Sequence, residues 1–349
     1  MSSPLRFGII GCGDVCDRKS GPALATVPGS ALVAVTRRDA TLGAAFAARY
    51  AGCVYLPSVA ALLSEEAVSA VYVASPPALH AEHTLAALAA GKRLVLCEKP
   101  LAMRAAECDV MIAAASTAGA SLYCAFYRVF YPKWRTARAL LRGGCVGTIL
   151  GARLLMTSES SPTGWRVNPS LSGGGYFLDM GSHRLNMLEY LLGQDVAEVM
   201  GAGANLVGHH AAENDVVLAM RMAGGALVSA AFHFSTPGAP RDVLEIYGTQ
   251  GSLVADPFDG TELLLNTAAP GGGVAVTTHS FATPAPTHGP LVDALVRAHV
   301  AGMPALEPLE AERAAGVEPP TAACVDAAEG AKTTRVMDAA LATWRGEGK

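Results

Sequence analysis

The chain has 349 residues and a formal net charge of −4; 51% of its residues are hydrophobic and 16% are charged. A chain of this length suits two domains, and this composition excludes a disordered protein. Basic residues occur only singly or in short pairs such as Arg37-Arg38, so we expect no nucleic-acid partner. Apolar runs such as 85–90 are far too short to span a membrane, so we expect no membrane partner.

In the first half of the chain, short apolar runs that predict buried strands alternate with alanine-rich patterns that predict helices. The predicted strands are Leu5–Ile10, Ala31–Thr36, Ala70–Ala74, Arg93–Cys97 and Leu122–Ala125. The predicted helices include Thr41–Tyr50, Ala78–Ala90 and Ala105–Thr117. This alternation indicates parallel β-α-β units. We predict an α/β fold whose N-terminal Rossmann domain, a doubly wound parallel sheet, spans residues 1–125.

After Gly143-Gly144 the pattern changes to successive strands with short turns. The predicted strands are 148–157, 196–206, 215–222, 226–234, 243–247 and 252–255. The triple glycine at 173–175 opens a predicted helix that ends at Gly193, and the Gly224-Gly225 pair predicts a hairpin turn. We therefore predict a second domain over residues 126–349, with an open, mostly antiparallel sheet.

The segment Pro270–Pro290 is rich in Gly, Pro and Thr, and we predict that it forms a surface loop. Helical patterns return at 291–301 and 326–344. The last of these helices is a candidate for packing back on the first domain.

The eight cysteines lie mostly in apolar or alanine-rich contexts and form no C-x-x-C pair. This distribution favours reduced thiols that serve as small apolar residues over disulfides or a zinc site. Residues 5–10 lead directly into a glycine motif, without a basic start or a cleavage site before them. We therefore expect a cytoplasmic protein that binds no metal.

The first predicted strand runs into a glycine loop that matches a dinucleotide-binding pattern, Gly11, Cys12, Gly13, Asp14 and Val15. Gly11 permits the tight turn after the strand, and Gly13 lets the backbone approach a pyrophosphate at a helix N-terminus. Cys16 replaces the third glycine of the pattern with another small residue. Because the loop follows a strand and opens a β-α-β pattern, we predict that it binds a cofactor and is not merely a structural turn.

The end of the second predicted strand selects between NADP and NAD. Its residues are Thr36-Arg37-Arg38-Asp39. Chains that bind NAD usually have Asp or Glu there to hold the ribose hydroxyls, whereas two guanidinium groups suit a 2′-phosphate. Thr36 adds a hydroxyl donor. The alternative is a solvated charge pair at a helix start, with Asp39 as its N-cap. We predict NADP as the cofactor, with NAD as the less favoured alternative.

The fourth predicted strand ends in Glu98-Lys99-Pro100. Ligands of open parallel sheets bind beyond the carboxyl ends of the strands, which places Lys99 near the expected nicotinamide. Desolvation and a positive nicotinamide both favour the neutral amine, so Lys99 is a candidate proton donor and acceptor. An exposed lysine in a turn is the structural alternative, and the spacing alone does not choose between the two.

A second cluster lies in the helix after the triple glycine, where Asp179 and His183 are four residues apart and share one face. The rest of this helix is apolar, and buried polar groups in such surroundings need a reason. A metal site is a poor explanation because no third or fourth ligand stands at a suitable spacing. A structural His–Asp pair is the remaining alternative.

The Gly11–Gly13 loop, Glu98-Lys99-Pro100 and the helix with Asp179 and His183 together resemble the glucose-fructose oxidoreductase / inositol dehydrogenase / rhizopine catabolism (Gfo/Idh/MocA) family. The resemblance covers nearly the whole chain and implies an N-terminal Rossmann domain followed by an α/β domain on a large open, mostly antiparallel sheet. It implies that this second domain serves substrate binding and oligomerisation. It also implies that Lys99, Asp179 and His183 lie around the reacting carbon. Either Lys99 or His183 is then the acid/base, and we favour Lys99, with His183 as an orienting partner or relay.

The resemblance extends the candidate cofactor-binding set to Ser75, Pro76, His80, Glu98 and Lys99. The candidate substrate-binding residues are Lys99, Tyr127, Arg128, Trp165, Arg166, Asp179 and His183, with Lys133, Tyr176 and His233 as further candidates by position. Pro77 stands where many family members have Asn, and Asn186 where many have Asp. These departures leave the identity of the substrate open.

The resulting prediction is an NADP-dependent oxidoreductase that transfers a hydride to or from a secondary alcohol or carbonyl carbon of a sugar or cyclitol. The enzymatic alternatives are a non-sugar carbonyl reductase and a dihydrodiol dehydrogenase. The alternative from another class is a non-catalytic NADP-binding sensor, and the intact Lys99, Asp179 and His183 argue against it. Residues 216–221 alternate between two faces of an open sheet, which predicts a homodimer or homotetramer.

Overall fold

A computed structural model describes residues 3–158, 163–207, 210–238 and 240–345. The chain forms two compact units, each with one sheet. Unit 1 comprises Met1–Phe130, Pro284–Leu306 and Pro320–Thr334. Unit 2 comprises Tyr131–Thr283, Glu307–Pro319 and Arg335–Lys349.

The sheet of unit 1 has six parallel strands in the order β3-β2-β1-β4-β5-β6. The strands are β1 (Leu5–Ile10), β2 (Ser30–Thr36), β3 (Val54–Tyr55), β4 (Ala70–Val73), β5 (Leu94–Cys97) and β6 (Ser121–Cys124). Every residue of β4 and β5 is buried, as expected for central strands that are covered on both faces. This order and direction confirm the predicted Rossmann fold.

The α-helices in the described residues are α1 (Gly21–Thr26), α2 (Ala40–Ala47), α3 (Val59–Ser64), α4 (His80–Ala89), α5 (Ala105–Ala118), α6 (Pro132–Arg142), α7 (Pro169–Ser172), α8 (Ser182–Leu192), α9 (Gly289–His299), α10 (Glu310–Ala315) and α11 (Ala327–Arg345). Helix α5 ends in front of Gly119 and α8 in front of Gly193, and both glycines have the left-handed conformation that stops a helix. None of the helices in the described ranges has both the length and the apolarity needed to cross a bilayer.

The sheet of unit 2 has eight strands in the order β14-β13-β12-β11-β7-β10-β9-β8. The strands are β7 (Ile149–Ser158), β8 (Val196–Ala204), β9 (Asp215–Met222), β10 (Leu227–Phe234), β11 (Arg241–Gly248), β12 (Gly251–Ala255), β13 (Glu262–Ala268) and β14 (Val274–Ser280). Among these described strands, β7 and β10 pair in parallel and all other neighbours pair antiparallel. The predicted mostly antiparallel sheet is therefore confirmed, and β9 and β10 form the hairpin predicted at Gly224-Gly225.

The prediction that Pro270–Pro290 forms a surface loop is wrong, because the structure places β14 at Val274–Ser280 within this segment. Strand β14 lies at the edge of the sheet and pairs through its backbone with β13. Six of its seven residues are exposed, so the strand carries no alternation of apolar and polar residues. That alternation is the signal by which a half-buried strand is found in a sequence.

Candidate functional site

The glycine loop of unit 1 lies against the ends of two neighbouring strands. The backbone N–H groups of Gly11 and Cys12 both point to the carbonyl of Thr36 at the end of β2, at 2.9 and 3.4 Å. Gly11 has φ +88°, and a Cβ added to it would lie 2.8 Å from the backbone nitrogen of Ser75. Any other residue at position 11 is therefore excluded by both strain and contact.

Gly13 is in the opposite situation, because the nearest atom to an added Cβ is the carbonyl oxygen of Gly11 at 3.9 Å. The space beside Gly13 is open, as the close approach of a pyrophosphate to the backbone requires. Asp14 and Val15 continue the loop, and Asp14 is exposed and paired with Arg18. The loop therefore fits the phosphates of a dinucleotide.

The two cysteines of the loop are buried apolar groups. Cys16 is fully buried at the start of a π-helical turn, Cys16–Ser20, that leads into α1. Burial raises the pKa of the Cys16 thiol far above its ordinary value and that of Cys12 to about 11. Both thiols are protonated at neutral pH, and Cys16 fills the small-residue position of the loop as predicted.

The end of β2 carries no acidic side chain toward the loop. Arg37 Nη1 donates to the carbonyl of Cys12 at 3.0 Å, whereas Arg38 is exposed. Asp39 is the N-cap of α2, and its Oδ1 accepts a hydrogen bond from the Leu42 N–H at 3.0 Å. The strand end therefore presents one guanidinium against the glycine loop and another in solvent, while its carboxylate is engaged in the helix.

Lys99 stands in a braced turn at the carboxyl end of β5. The preceding carboxylate, Glu98, is buried and accepts hydrogen bonds from the Tyr72 hydroxyl and, at 3.1 Å, from the Lys99 N–H. The peptide bond between Lys99 and Pro100 is cis. Lys99 itself is half-buried. The Glu98 carboxylate thus fixes the backbone from which the lysine side chain projects.

His80, a candidate cofactor contact, joins two loops of unit 1 from inside. Its Nδ1 lies 2.8 Å from the carbonyl of Pro100 and its Nε2 lies 2.8 Å from the carbonyl of Ser75. Burial lowers the pKa of His80 to about 4, so the ring is neutral near pH 7 and donates to one carbonyl at a time. The ring links the turn after β5 to the loop after β4, where Ser75 and Pro76 lie.

In unit 2 the structure brings three predicted substrate-binding residues together. Arg166 Nε donates to Asp179 Oδ2 at 2.7 Å, and the Arg166 guanidinium lies 4.7 Å from the centre of the Trp165 ring. Asp179 belongs to a π-helical turn, Phe177–Gly181, and His183 follows it in α8 with 5% of its surface exposed. Such π turns occur frequently at functional sites, and neither hydrophobic periodicity nor motif spacing predicts them.

The remaining candidates differ in their surroundings. In unit 1 Tyr127 and Arg128 are buried, with the guanidinium 4.8 Å from the centre of the tyrosine ring. Lys133 has a structural role, because its ammonium donates hydrogen bonds to the carbonyls of Phe258 and Gly260, each at 2.9 Å. His233 Nδ1 lies 2.9 Å from Asp215 Oδ1 on neighbouring strands. Tyr176 packs edge-to-face on Phe234.

Among the described residues, no group of three or more His, Cys, Asp or Glu side chains is arranged to hold a metal ion.

The sequence analysis does not identify Lys19 and His288, which both contact Tyr127 in the structure. Both are remote from it in the sequence, so no local pattern connects them.

Comparison with known proteins shows matches over both units. Residues 5–126 match the model described as an oxidoreductase family with an NAD-binding Rossmann fold, and residues 134–254 match the GFO/IDH/MocA C-terminal domain. The 1,5-anhydro-D-fructose reductase of Ensifer adhaerens is 34% identical over 255 residues, which are 71% of this chain and 75% of that protein. The dTDP-3,4-didehydro-2,6-dideoxy-alpha-D-glucose 3-reductase of Streptomyces violaceoruber is 33% identical over 261 residues, 72% of each chain.

A solved structure has the same fold. The crystal structure of an oxidoreductase domain protein from Kribbella flavida superposes with a TM-score of 0.81 and 26% sequence identity. The superposition covers 99% of this chain and 98% of that one. The likeness therefore extends over both units.

Proposed function

Because the chain belongs to the GFO/IDH/MocA family of NAD(P)-binding oxidoreductases, we propose that it transfers a hydride between NADP(H) and a secondary alcohol or carbonyl carbon of a sugar or cyclitol. The observation that carries this proposal is Lys99, which projects from a braced turn at the carboxyl end of a central Rossmann strand. When bound, the nicotinamide supplies or accepts the hydride. The residues of the chain bind and orient the cofactor and the substrate, and they transfer the proton.

Lys99 handles that proton. In the oxidation its neutral amine takes the proton of the substrate hydroxyl, and in the reduction its ammonium returns a proton to the carbonyl oxygen. Glu98 and His80 fix the backbone on either side of this lysine. His183 is the second candidate for the acid/base and otherwise an orienting partner or relay.

The cofactor is held by the backbone of Gly11–Val15 at its pyrophosphate and by Thr36, Arg37 and Arg38 at the adenosine ribose. The open space beside Gly13 supports the first contact, and the absence of a free carboxylate in the described strand end supports a 2′-phosphate over a bare ribose. Ser75, Pro76 and Glu98 line the nicotinamide end, with His80 acting through the loops that it joins. NAD is the less favoured cofactor.

A sugar-like substrate is favoured by the relatives, whose names describe reductases of an anhydroketose and of a nucleotide-linked ketosugar. In unit 2, Trp165 offers an aromatic face and Asp179 a carboxylate that Arg166 holds in place. Carboxylates accept hydrogen bonds from sugar hydroxyls, and the face of an aromatic ring packs on the C–H groups of a sugar ring. We assign Tyr127 and Arg128 of unit 1 to substrate binding as well.

The test is a screen of ketoses and aldoses with NADPH, and of sugars and cyclitols with NADP⁺, followed by absorbance of the reduced nicotinamide. Steady turnover of at least one sugar supports the proposal. If the protein turns over only non-sugar carbonyls or dihydrodiols, its substrate belongs to that class and not to the sugars. Tight NADPH binding without turnover of any carbonyl or alcohol supports a sensor instead.

A further inference from the structure

Tyr127 in unit 1 is surrounded by three nitrogen-bearing side chains from distant parts of the sequence. The amine of Lys19 lies 3.3 Å from its hydroxyl and 5.2 Å from its ring centre. The Arg128 guanidinium lies 4.8 Å from the ring centre, and the His288 ring lies 4.5 Å from it, centre to centre. Residues from the π-helical turn before α1, from the turn after β6 and from the N-cap position of α9 therefore meet on one aromatic ring.

His288 shows that this cluster has a positive field. Burial first, and then the positive charges of Lys19, Arg128 and Lys99, hold the pKa of His288 well below its ordinary value. The ring is 1% exposed, and neither of its nitrogens has a hydrogen-bond partner in the described residues. It also leaves the first N–H groups of α9 uncapped, so the positive end of that helix adds to the field.

Lys19 is a cation without an acidic partner in the described part of the chain. The two acids nearest to it in the sequence are engaged elsewhere, Asp14 by Arg18 and Asp17 by Arg49. Lys19 lies in the π-helical turn Cys16–Ser20, and its ammonium donates to the Tyr127 hydroxyl at 3.3 Å. The ammonium has only the neutral Tyr127 hydroxyl as its hydrogen-bond partner in the described residues, and a half-buried ammonium in a positive field is stabilised by an anion.

We propose that unit 1 binds an oxyanion of the substrate, a carboxylate or phosphate carried by the sugar, at Lys19 and Arg128 on the ring of Tyr127. This inference rests on the proposed function and adds the class of substrate, an anionic sugar over a neutral one. Lys99 acts on the same buried histidine, so the oxyanion site and the proton-transferring lysine belong to one region of unit 1.

The test is calorimetric binding of three probes to the full-length protein with NADPH present. The probes are D-gluconate, D-glucose 6-phosphate and neutral D-glucose. At least one of the two anionic probes binds at least ~10-fold more tightly than glucose, and which of them does so distinguishes a carboxylate from a phosphate. Lys19→Met removes this preference, and Lys19→Arg, which keeps the charge, retains most of it.

The matched control is Lys332→Met, which removes one positive charge from α11 in the same unit, where Lys332 pairs with Glu329 at 2.8 Å. It leaves the binding of all three probes unchanged. Equal binding of the anionic and neutral probes to the unaltered protein overturns the inference. A Lys19→Met variant that loses affinity for NADPH alone also overturns it, because Lys19 then serves the cofactor. If no sugar is turned over but anion binding still depends on Lys19, the proposed function fails while the oxyanion site stands.

Discussion

Arg37 makes one contact within the chain and is proposed to make a second with the cofactor, and a test of cofactor choice must separate the two. Its guanidinium donates to the carbonyl of Cys12, and it also stands at the strand end where the ribose is expected. Loss of the first contact weakens both cofactors alike, because it disturbs the loop that they share. Loss of the second weakens NADPH alone. The ratio of the two dissociation constants is therefore the informative quantity, and the absolute values are not.

We predict that the unaltered protein binds NADPH more tightly than NADH by at least ~1.4 kcal/mol, about tenfold. Arg38→Met narrows this ratio without affecting NADH, since Arg38 is exposed. Arg37→Asp narrows or reverses it, because a carboxylate repels the 2′-phosphate. Fluorescence titration of both cofactors measures the ratio. Equal dissociation constants in the unaltered protein contradict the assignment of NADP.

Lys99 is the residue on which the catalytic proposal depends. We predict that Lys99→Ala lowers kcat by at least ~10²-fold, in the range of positioned acid/base groups, while the affinity for NADPH changes little. His183→Ala lowers kcat as well, and the two losses are not additive if both residues act on one proton. Steady-state kinetics of the two single variants and the double variant measure this. Unaltered turnover by Lys99→Ala excludes Lys99 as the acid/base and leaves His183 as the leading candidate.

At the scale of single residues, the sequence points to groups that belong to a local motif. Gly11, Gly13 and Lys99 follow predicted strands, and the structure places them at strand ends as expected. The pair of Arg166 with Asp179 is different, because Asp179 lies thirteen positions after Arg166 and within a π turn. The contact of Lys19 with Tyr127 spans 108 residues, and no local periodicity encodes it.

At the scale of elements, the two glycines of the loop after β1 have different physical roles. Gly11 is required by the fold, because of its positive φ and the backbone of Ser75. Gly13 is not required by any neighbouring atom of the chain. The first glycine therefore maintains the loop, and the second leaves room for a ligand.

We predict that Gly11→Ala lowers the melting temperature and weakens cofactor binding, because the Cβ strains the turn and meets the backbone. Gly13→Ala leaves the melting temperature of the protein without cofactor near its original value, yet weakens NADPH binding at least ~10-fold. Thermal unfolding with and without NADPH measures both effects, and each variant is the control for the other. An unchanged NADPH affinity in Gly13→Ala would show that the pyrophosphate does not approach this residue.

Two strands that the sequence misses share a physical feature. Strand β3 has two residues, and the residues of β14 are exposed on both faces apart from His279, so neither presents a pattern of alternating burial. Strands β4 and β5 are apolar throughout, and β9 alternates strictly, so all three are found. Hydrophobic periodicity thus predicts strands that are apolar throughout or that alternate strictly, and it does not predict very short strands or strands exposed on both faces.

At the scale of the whole molecule, strands β9 and β10 of unit 2 have one buried and one more exposed face. Val216, Leu218 and Met220 of β9 are buried, whereas Val217 between them is 50% exposed. On the same face, Met200 of β8 is 68% exposed and Leu227 of β10 is 65% exposed. Exposed apolar side chains that share one face of a sheet are typical of a surface that pairs with another chain.

We predict that the protein is a homodimer or homotetramer that associates through this face. Val217→Asp places a charge between Ala202 and Ala231 on the neighbouring strands and lowers the mass toward that of one chain, because an unpaired carboxylate in an apolar interface is strongly unfavourable. Leu42→Asp is the control, since Leu42 is 48% exposed on α2 of unit 1 and its replacement leaves the mass unchanged. Light scattering at micromolar concentration gives the masses, and circular dichroism verifies that both variants are folded. A monomeric mass for the unaltered protein contradicts the prediction, and association that persists in a folded Val217→Asp variant assigns the interface to another surface.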